Sequence, residues 1–197
     1  NKESVDFNQN IRDLEELGIT VVPNVISKST CKEFVGRCET LCDMYIREGR
    51  PLNAKGQFIN SPFRFDESFL PLLEIPQIFP ILSQVLDPDF VVINSNIINN
   101  RLREDIESTG YKIGSTWHTD SRYLGGRRLD RGFGYIVALL FDDFEASNGA
   151  TKYVPRSHLF RDRPEREADY EYEYMVGSAG DLLIFDASMM HRGLYGN

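Results

Sequence analysis

Phe7, Ile11, Leu14 and Leu17 recur every three or four residues, the spacing that lines up one face of an α-helix, and Gly18 follows as its stop. Ile19 to Val22 then reads as a short apolar strand ended by Pro23. Thr30 and Glu33 have the spacing of a capping box, and the stripe Cys31, Phe34, Val35, Cys38, Leu41, Cys42, Tyr45 and Ile46 carries a second helix to about Gly49. Residues 50–71 break the period with Pro51, Gly56, Pro62 and Pro71. Phe58, Phe63, Phe65 and Phe69 lie between these breakers, which predicts a loop packed down on the body. A third helix fits Pro76 to Leu86.

From Phe90 the texture changes to β-rich segments at Val91 to Ile98, Gly134 to Phe141, Thr151 to Val154, Tyr170 to Val176 and Asp181 to Phe185, separated by Gly, Asn, Asp and Pro clusters. Helices first and strands afterwards argue against a doubly wound nucleotide fold and for a sheet sandwich or barrel with helices packed outside. The expected fold is therefore mainly β with flanking helices. It forms one domain over residues 1–197, with a helical part to about residue 89 and a β core from about residue 90.

Composition narrows the partners. The 197 residues suit a single domain, and 41% hydrophobic residues with 13 Phe and 9 Tyr are enough to form a packed core. A net charge of −8 argues against a nucleic-acid or anionic-membrane partner, and no apolar run approaches the ~20 residues of a spanning helix. The three cysteines share one helix face as small buried hydrophobes, and their odd number favours a reducing compartment, the cytoplasm being the simplest.

Only three histidines occur. His118 and Asp120 are two apart, so on a strand an imidazole and a carboxylate face the same way and can converge on one ion. His191, just past the apolar strand Leu182 to Phe185, is the candidate third ligand. Two histidines and one carboxylate occupy one face of an octahedron and leave positions open for co-substrate and dioxygen, the pattern of non-haem Fe(II) enzymes. The same donors also bind zinc with water, so a zinc-dependent hydrolase and a non-catalytic metal-binding protein are the rival readings.

The surrounding motifs are Gly114-Ser115-Thr116-Trp117-His118-Thr119-Asp120, Asn148-Gly149-Ala150-Thr151-Lys152-Tyr153-Val154-Pro155-Arg156-Ser157-His158, Gly180-Asp181-Leu182-Leu183-Ile184-Phe185-Asp186 and His191-Arg192-Gly193. In this order they resemble the phytanoyl-CoA dioxygenase family of Fe(II)- and 2-oxoglutarate-dependent oxygenases. The resemblance implies a double-stranded β-helix, the cupin-like jelly roll, with His118, Asp120 and His191 holding iron at its mouth. It implies 2-oxoglutarate and dioxygen as co-substrates, conversion of 2-oxoglutarate to succinate and carbon dioxide, and hydroxylation of a small organic molecule. Asp120 stands where related halogenases lack a carboxylate, which argues against halogenation.

Members of the family often carry Pro-Gly-Ser-His where this chain has Pro155-Arg156-Ser157-His158, so His158 is read as a structural hydrogen-bonding residue and left out of the metal site. The family's distal histidine is followed by Gly, Asn and Ser, then by an Arg that pairs with the far carboxylate of 2-oxoglutarate. Gly193 and Asn197 fit the start of that pattern, and the Ser and Arg are expected beyond Asn197. By the same resemblance Asn96 and Asn99 are candidates for contacting 2-oxoglutarate. Trp117 and Tyr123 are candidates for the pocket wall. Arg122, Tyr123, Arg127 and Arg128 follow the metal motif and suit an anionic substrate, although a solvated, salt-bridged loop accounts for the same residues.

Overall fold

The computed structural model describes residues 7–49, 57–99, 116–120, 134–160 and 165–193. The chain opens with α1 (Asn8–Glu16), β1 (Ile19–Val22) and the long α2 (Lys28–Arg47). There follow β2 (Gln57–Asn60), the 3-10 turns Pro62–Arg64 and Glu67–Glu74, α3 (Ile78–Val85) and β3 (Asn96–Asn99). The second half carries β4 (Tyr135–Leu139), β5 (Lys152–Tyr153), β6 (Glu173–Tyr174), β7 (Leu182–Asp186) and β8 (His191–Arg192).

β7 organises the molecule. Its sequence Leu-Leu-Ile-Phe-Asp has no alternation, as expected of a strand covered on both faces, and all five residues are buried. It is the middle strand of the antiparallel sheet β1-β7-β4, with Ile19 opposite Phe185 on one side and Ile136 opposite Phe185 on the other. The two-residue period of the strand then divides the core. Leu182 and Ile184 face Leu14, Val22, Ile75, Ile78, Ile81 and Leu82 on the helical side. Leu183 and Phe185 face Tyr153, Met175 and Met189 on the other.

α2 packs its predicted stripe on the small β2-β3 sheet, where Phe34, Cys38, Leu41 and Cys42 cluster with Ile59, Phe69 and Ile97. Phe34 stacks on Phe141 at 5.3 Å and meets Phe69 edge-on at 5.2 Å. Cys31, Cys38 and Cys42 are buried and unbridged, and burial pushes the Cys38 thiol up to about 12.

Gly18 ends α1 with a φ of +83°, a conformation that costs a side chain dearly. A Cβ there would also collide with His158 Nδ1 and Met189 Cε, so the turn needs glycine twice over.

Several sequence expectations need correction. The described residues form mixed helices and small sheets rather than a mainly β body, because most predicted strands pair over only part of their length. Val91 to Ile93 are exposed and precede β3 instead of belonging to it. Of Tyr170 to Val176 only Glu173–Tyr174 joins a ladder, and the rings of Tyr170 and Tyr172 lie 5.6 and 6.3 Å from that of Trp117. The presumed loop before Pro71 contains β2, an edge whose partner lies almost forty residues on. The cap of α2 is Ser27, whose hydroxyl accepts the Thr30 N–H at 3.1 Å, one turn earlier than the Thr30–Glu33 box. Two ladders, β1 with β7 and β2 with β3, join the helical first part of the chain to the β-rich second part. Among the described residues no single helix is long and apolar enough to cross a membrane.

Candidate metal centre

The apolar run of β7 ends at Asp186, and a tight turn reverses the chain into β8. Asp186 Oδ1 accepts the Ser188 N–H at 2.7 Å and its carbonyl accepts the Met189 N–H at 2.9 Å, so the aspartate builds the turn that delivers His191. Burial of Asp186, Ala187, Met189 and Met190 leaves that turn little freedom.

His191 is then gripped from two sides. Its N–H and carbonyl exchange hydrogen bonds of 2.9 and 3.0 Å with the carbonyl and N–H of His118, an isolated antiparallel bridge that sets the two histidines directly opposite one another. On its other edge it pairs with Tyr153 of β5. Asp120 is not on a strand. Its N–H donates to the Ala187 carbonyl at 2.9 Å, and this bond brings the carboxylate to the same end of the site.

Side-chain donors of His118, Asp120 and His191 lie within 4.8 Å of one another. His191 Nε2 is 3.5 Å from Asp120 Oδ2, a gap that an ion bonded at about 2.0–2.2 Å to each can span. The imidazole centroids of His118 and His191 are 4.3 Å apart. His191 is 9% exposed at its side chain and Asp120 40%, so the cluster is walled behind the second histidine and open on the carboxylate side.

Both histidines are fixed in the tautomer a metal needs. His118 Nδ1 meets the Thr116 carbonyl at 2.8 Å and His191 Nδ1 meets the Met189 carbonyl at 2.9 Å. A carbonyl only accepts, so each Nδ1 carries a proton, which in the neutral ring leaves the Nε2 lone pair for the shared space. Burial, with His118 alongside, pushes the His191 imidazolium below its ordinary range against the opposing pull of Asp120. Neutral imidazole is the ligating form. Phe185 meets the His191 ring edge-on at 5.3 Å and closes the inner wall. Trp117, 3% exposed, packs with Val154 and Met190 and meets Tyr170 at 5.6 Å, so it backs the residues preceding both histidines.

His158 lies outside the cluster. It is buried, and its Nε2 donates to the Glu15 carbonyl at 3.1 Å, one of the last acceptors that α1 leaves unmet. Arg156 holds a left-handed φ of +62°, a conformation that glycine would adopt without strain.

Asn96 is exposed and Asn99 half-buried on β3, which pairs with β2. Arg122, Tyr123, Arg127 and Arg128 lie outside the described residues. Sequence reading missed the carbonyls of Thr116 and Met189, which have no side-chain signal. It could have anticipated the pattern, since both stand two residues before a candidate ligand.

A family model described as phytanoyl-CoA dioxygenase (PhyH) matches residues 14–194. No curated protein matches the sequence. Among solved structures the chain is similar to the epimerase SnoN in complex with Fe3+, alpha ketoglutarate and nogalamycin RO. That match has a TM-score of 0.72 at 13% identity and covers 97% of this chain and 78% of that one. It is also similar to the non-haem alpha ketoglutarate dependent carbocyclase SnoK from nogalamycin biosynthesis, with a TM-score of 0.69 at 19% identity, covering 96% and 78% respectively. Both likenesses are likenesses of fold.

Proposed function

The chain belongs to the phytanoyl-CoA dioxygenase family, and from that premise we propose that it is an Fe(II)- and 2-oxoglutarate-dependent oxygenase that hydroxylates an unactivated C–H bond of a small organic substrate. The observation that carries the reading is the convergence of His118, Asp120 and His191, two imidazoles and a carboxylate on one open face. On this reading the three sheets are the described part of a double-stranded β-helix in a single oxygenase domain.

Fe(II) held there, with 2-oxoglutarate and dioxygen, supplies the oxidising power for removing the hydrogen, 2-oxoglutarate ending as succinate and carbon dioxide. The chain's own residues do the rest. The Nε2 atoms of His118 and His191 and the Asp120 carboxylate hold the metal, while the Thr116 and Met189 carbonyls keep the ligand protons on the far nitrogens. Phe185 and Trp117 keep water from the inner side. The arginines 122, 127 and 128 make an anionic substrate our reading of its class.

The fold neighbours, an epimerase and a carbocyclase, favour a second reading of the outcome: removal of the same hydrogen followed by inversion or ring closure in place of hydroxyl transfer. The test is succinate formation from 2-oxoglutarate in air with Fe(II) present. Stoichiometric succinate, absent in Asp120→Ala, supports the oxygenase. Metal binding without succinate leaves a metal-binding protein, and activity that persists without dioxygen points to a zinc hydrolase. Oxygen incorporated into the product separates hydroxylation from the second reading.

A further inference from the structure

The bond between His191 Nδ1 and the Met189 carbonyl is only as firm as the peptide group that offers the carbonyl. That group is planar, and its opposite end is the Met190 N–H. In the β5-β8 ladder the register runs Lys152 with Arg192 and Tyr153 with His191, so Val154 and Met190 come next. Val154 N–H duly donates to the Met190 carbonyl at 3.0 Å. The reciprocal bond is not made: Val154's carbonyl accepts the Ser157 N–H at 3.2 Å, and the Met190 N–H donates to Ser157 Oγ at 2.8 Å. Ser157 is 2% exposed and Met190 3%, so water has little access to that N–H.

Resting on the metal reading above, we propose that Ser157 is a positioning residue for the His191 ligand: its hydroxyl fixes the Met189–Met190 peptide plane, whose carbonyl in turn sets the orientation and tautomer of the imidazole. His118 has the matching arrangement in backbone form. Its Nδ1 donates to the Thr116 carbonyl, and the other end of that peptide, the Trp117 N–H, donates to the Arg166 carbonyl at 3.3 Å. The two ligands therefore share one device, and only at His191 is the anchor a side chain. This gives the Ser of the Pro155-Arg156-Ser157-His158 run a role distinct from that of its neighbour, since His158 ties the same turn to α1 and not to the site.

The probe is Co(II), which reports on ligands without turnover. Its affinity is measured by calorimetry, and the paramagnetically shifted Nδ1 protons of the two histidines are followed by NMR in the Co(II) protein. Ser157→Ala is expected to lower Co(II) affinity about tenfold, the usual scale for losing a group that orients a ligand. It should also speed solvent exchange of the His191 Nδ1 proton while leaving that of His118 unchanged. Ser157→Cys keeps the volume with a poorer acceptor and is expected to show the same selective change, which serves if the alanine variant does not fold. Ser157→Thr, which keeps the hydroxyl, should restore wild-type exchange. Unchanged affinity and exchange in the alanine or cysteine variant overturns the proposal, as does equal loosening of both histidines, which marks a merely structural role. A wild-type protein that binds no Co(II) overturns the metal reading and the proposal with it; one that binds Co(II) but makes no succinate leaves the proposal standing on this test.

Discussion

β7 and β8 are five residues apart and built on opposite plans. β7 has a partner on each edge and an apolar core on each face, so its position is fixed by burial and by two ladders at once. β8 is two residues long, and what fixes it is a single bridge to His118, a short ladder to β5 and a handful of bonds from particular side chains. The strand that carries stability offers no donor to the metal cluster, and the segment that carries the candidate ligand contributes little apolar area. Stability and chemistry should therefore separate on mutation, although only a tight turn divides them.

The strongest test of that separation is Asp120→Ala. It is expected to abolish Fe(II)-dependent succinate formation while shifting the urea stability of the metal-free protein by less than about 1 kcal/mol, since the side chain is substantially exposed. A large loss of stability would break the contrast. Ile184→Ala, at a position with no exposure, should do the opposite: about 2–5 kcal/mol lost in urea titration, with metal affinity of the folded fraction retained. His158→Ala removes the bond to Glu15 and should cost about 1–3 kcal/mol with Co(II) affinity kept, which calorimetry on the purified variant can check. Loss of metal from this variant, with His191→Ala retaining it, would overturn the ligand assignment.

Arg156→Gly sharpens the contrast from the other side. It relieves a left-handed residue and should raise stability by about 1 kcal/mol without altering the metal centre, as read by thermal melting. The smallest effect is expected at Cys38. Its thiol is raised from an ordinary value of 9.0 to about 12 by burial, so the folded state holds its proton longer than the unfolded chain does. The contribution is fully present below about pH 9 and fades as pH rises towards 12. Cys38 should thus leave stability flat through the neutral range and resist alkylation in the native protein.

The two plans also explain what could be read from the amino acids. The run at Leu182 announces itself because burial on both faces demands unbroken apolar chemistry, and Ile19 to Val22 because three β-branched apolar residues stand in four before a proline. The donors of the site were visible for a different reason: three histidines are few enough to weigh one by one. β2 escaped notice because a four-residue strand among prolines is defined by its partner, Asn96–Asn99, and no local pattern encodes a partner. The strand expected at Val91 failed for the converse reason, apolar alternatives being available without a ladder to receive them. Asp120 was placed on a strand and sits instead in a turn, yet reaches the cluster because a backbone bond to Ala187 substitutes for the sheet. The part Ser157 plays was illegible, since the N–H it receives lies 33 residues further along.

The pairing of Ile19 with Phe185 has a consequence for the order of events during synthesis. β1 leaves the ribosome early and waits, its edges unpaired, until β7 has been made, and the cation site cannot close until residue 191 follows. Contacts that distant in sequence slow folding, because a long loop must be closed before they form. A nascent chain arrested before Leu182 would thus expose an orphaned β1 and capture no metal, and synthesis on through residue 191 would complete the sheet and the metal cluster together.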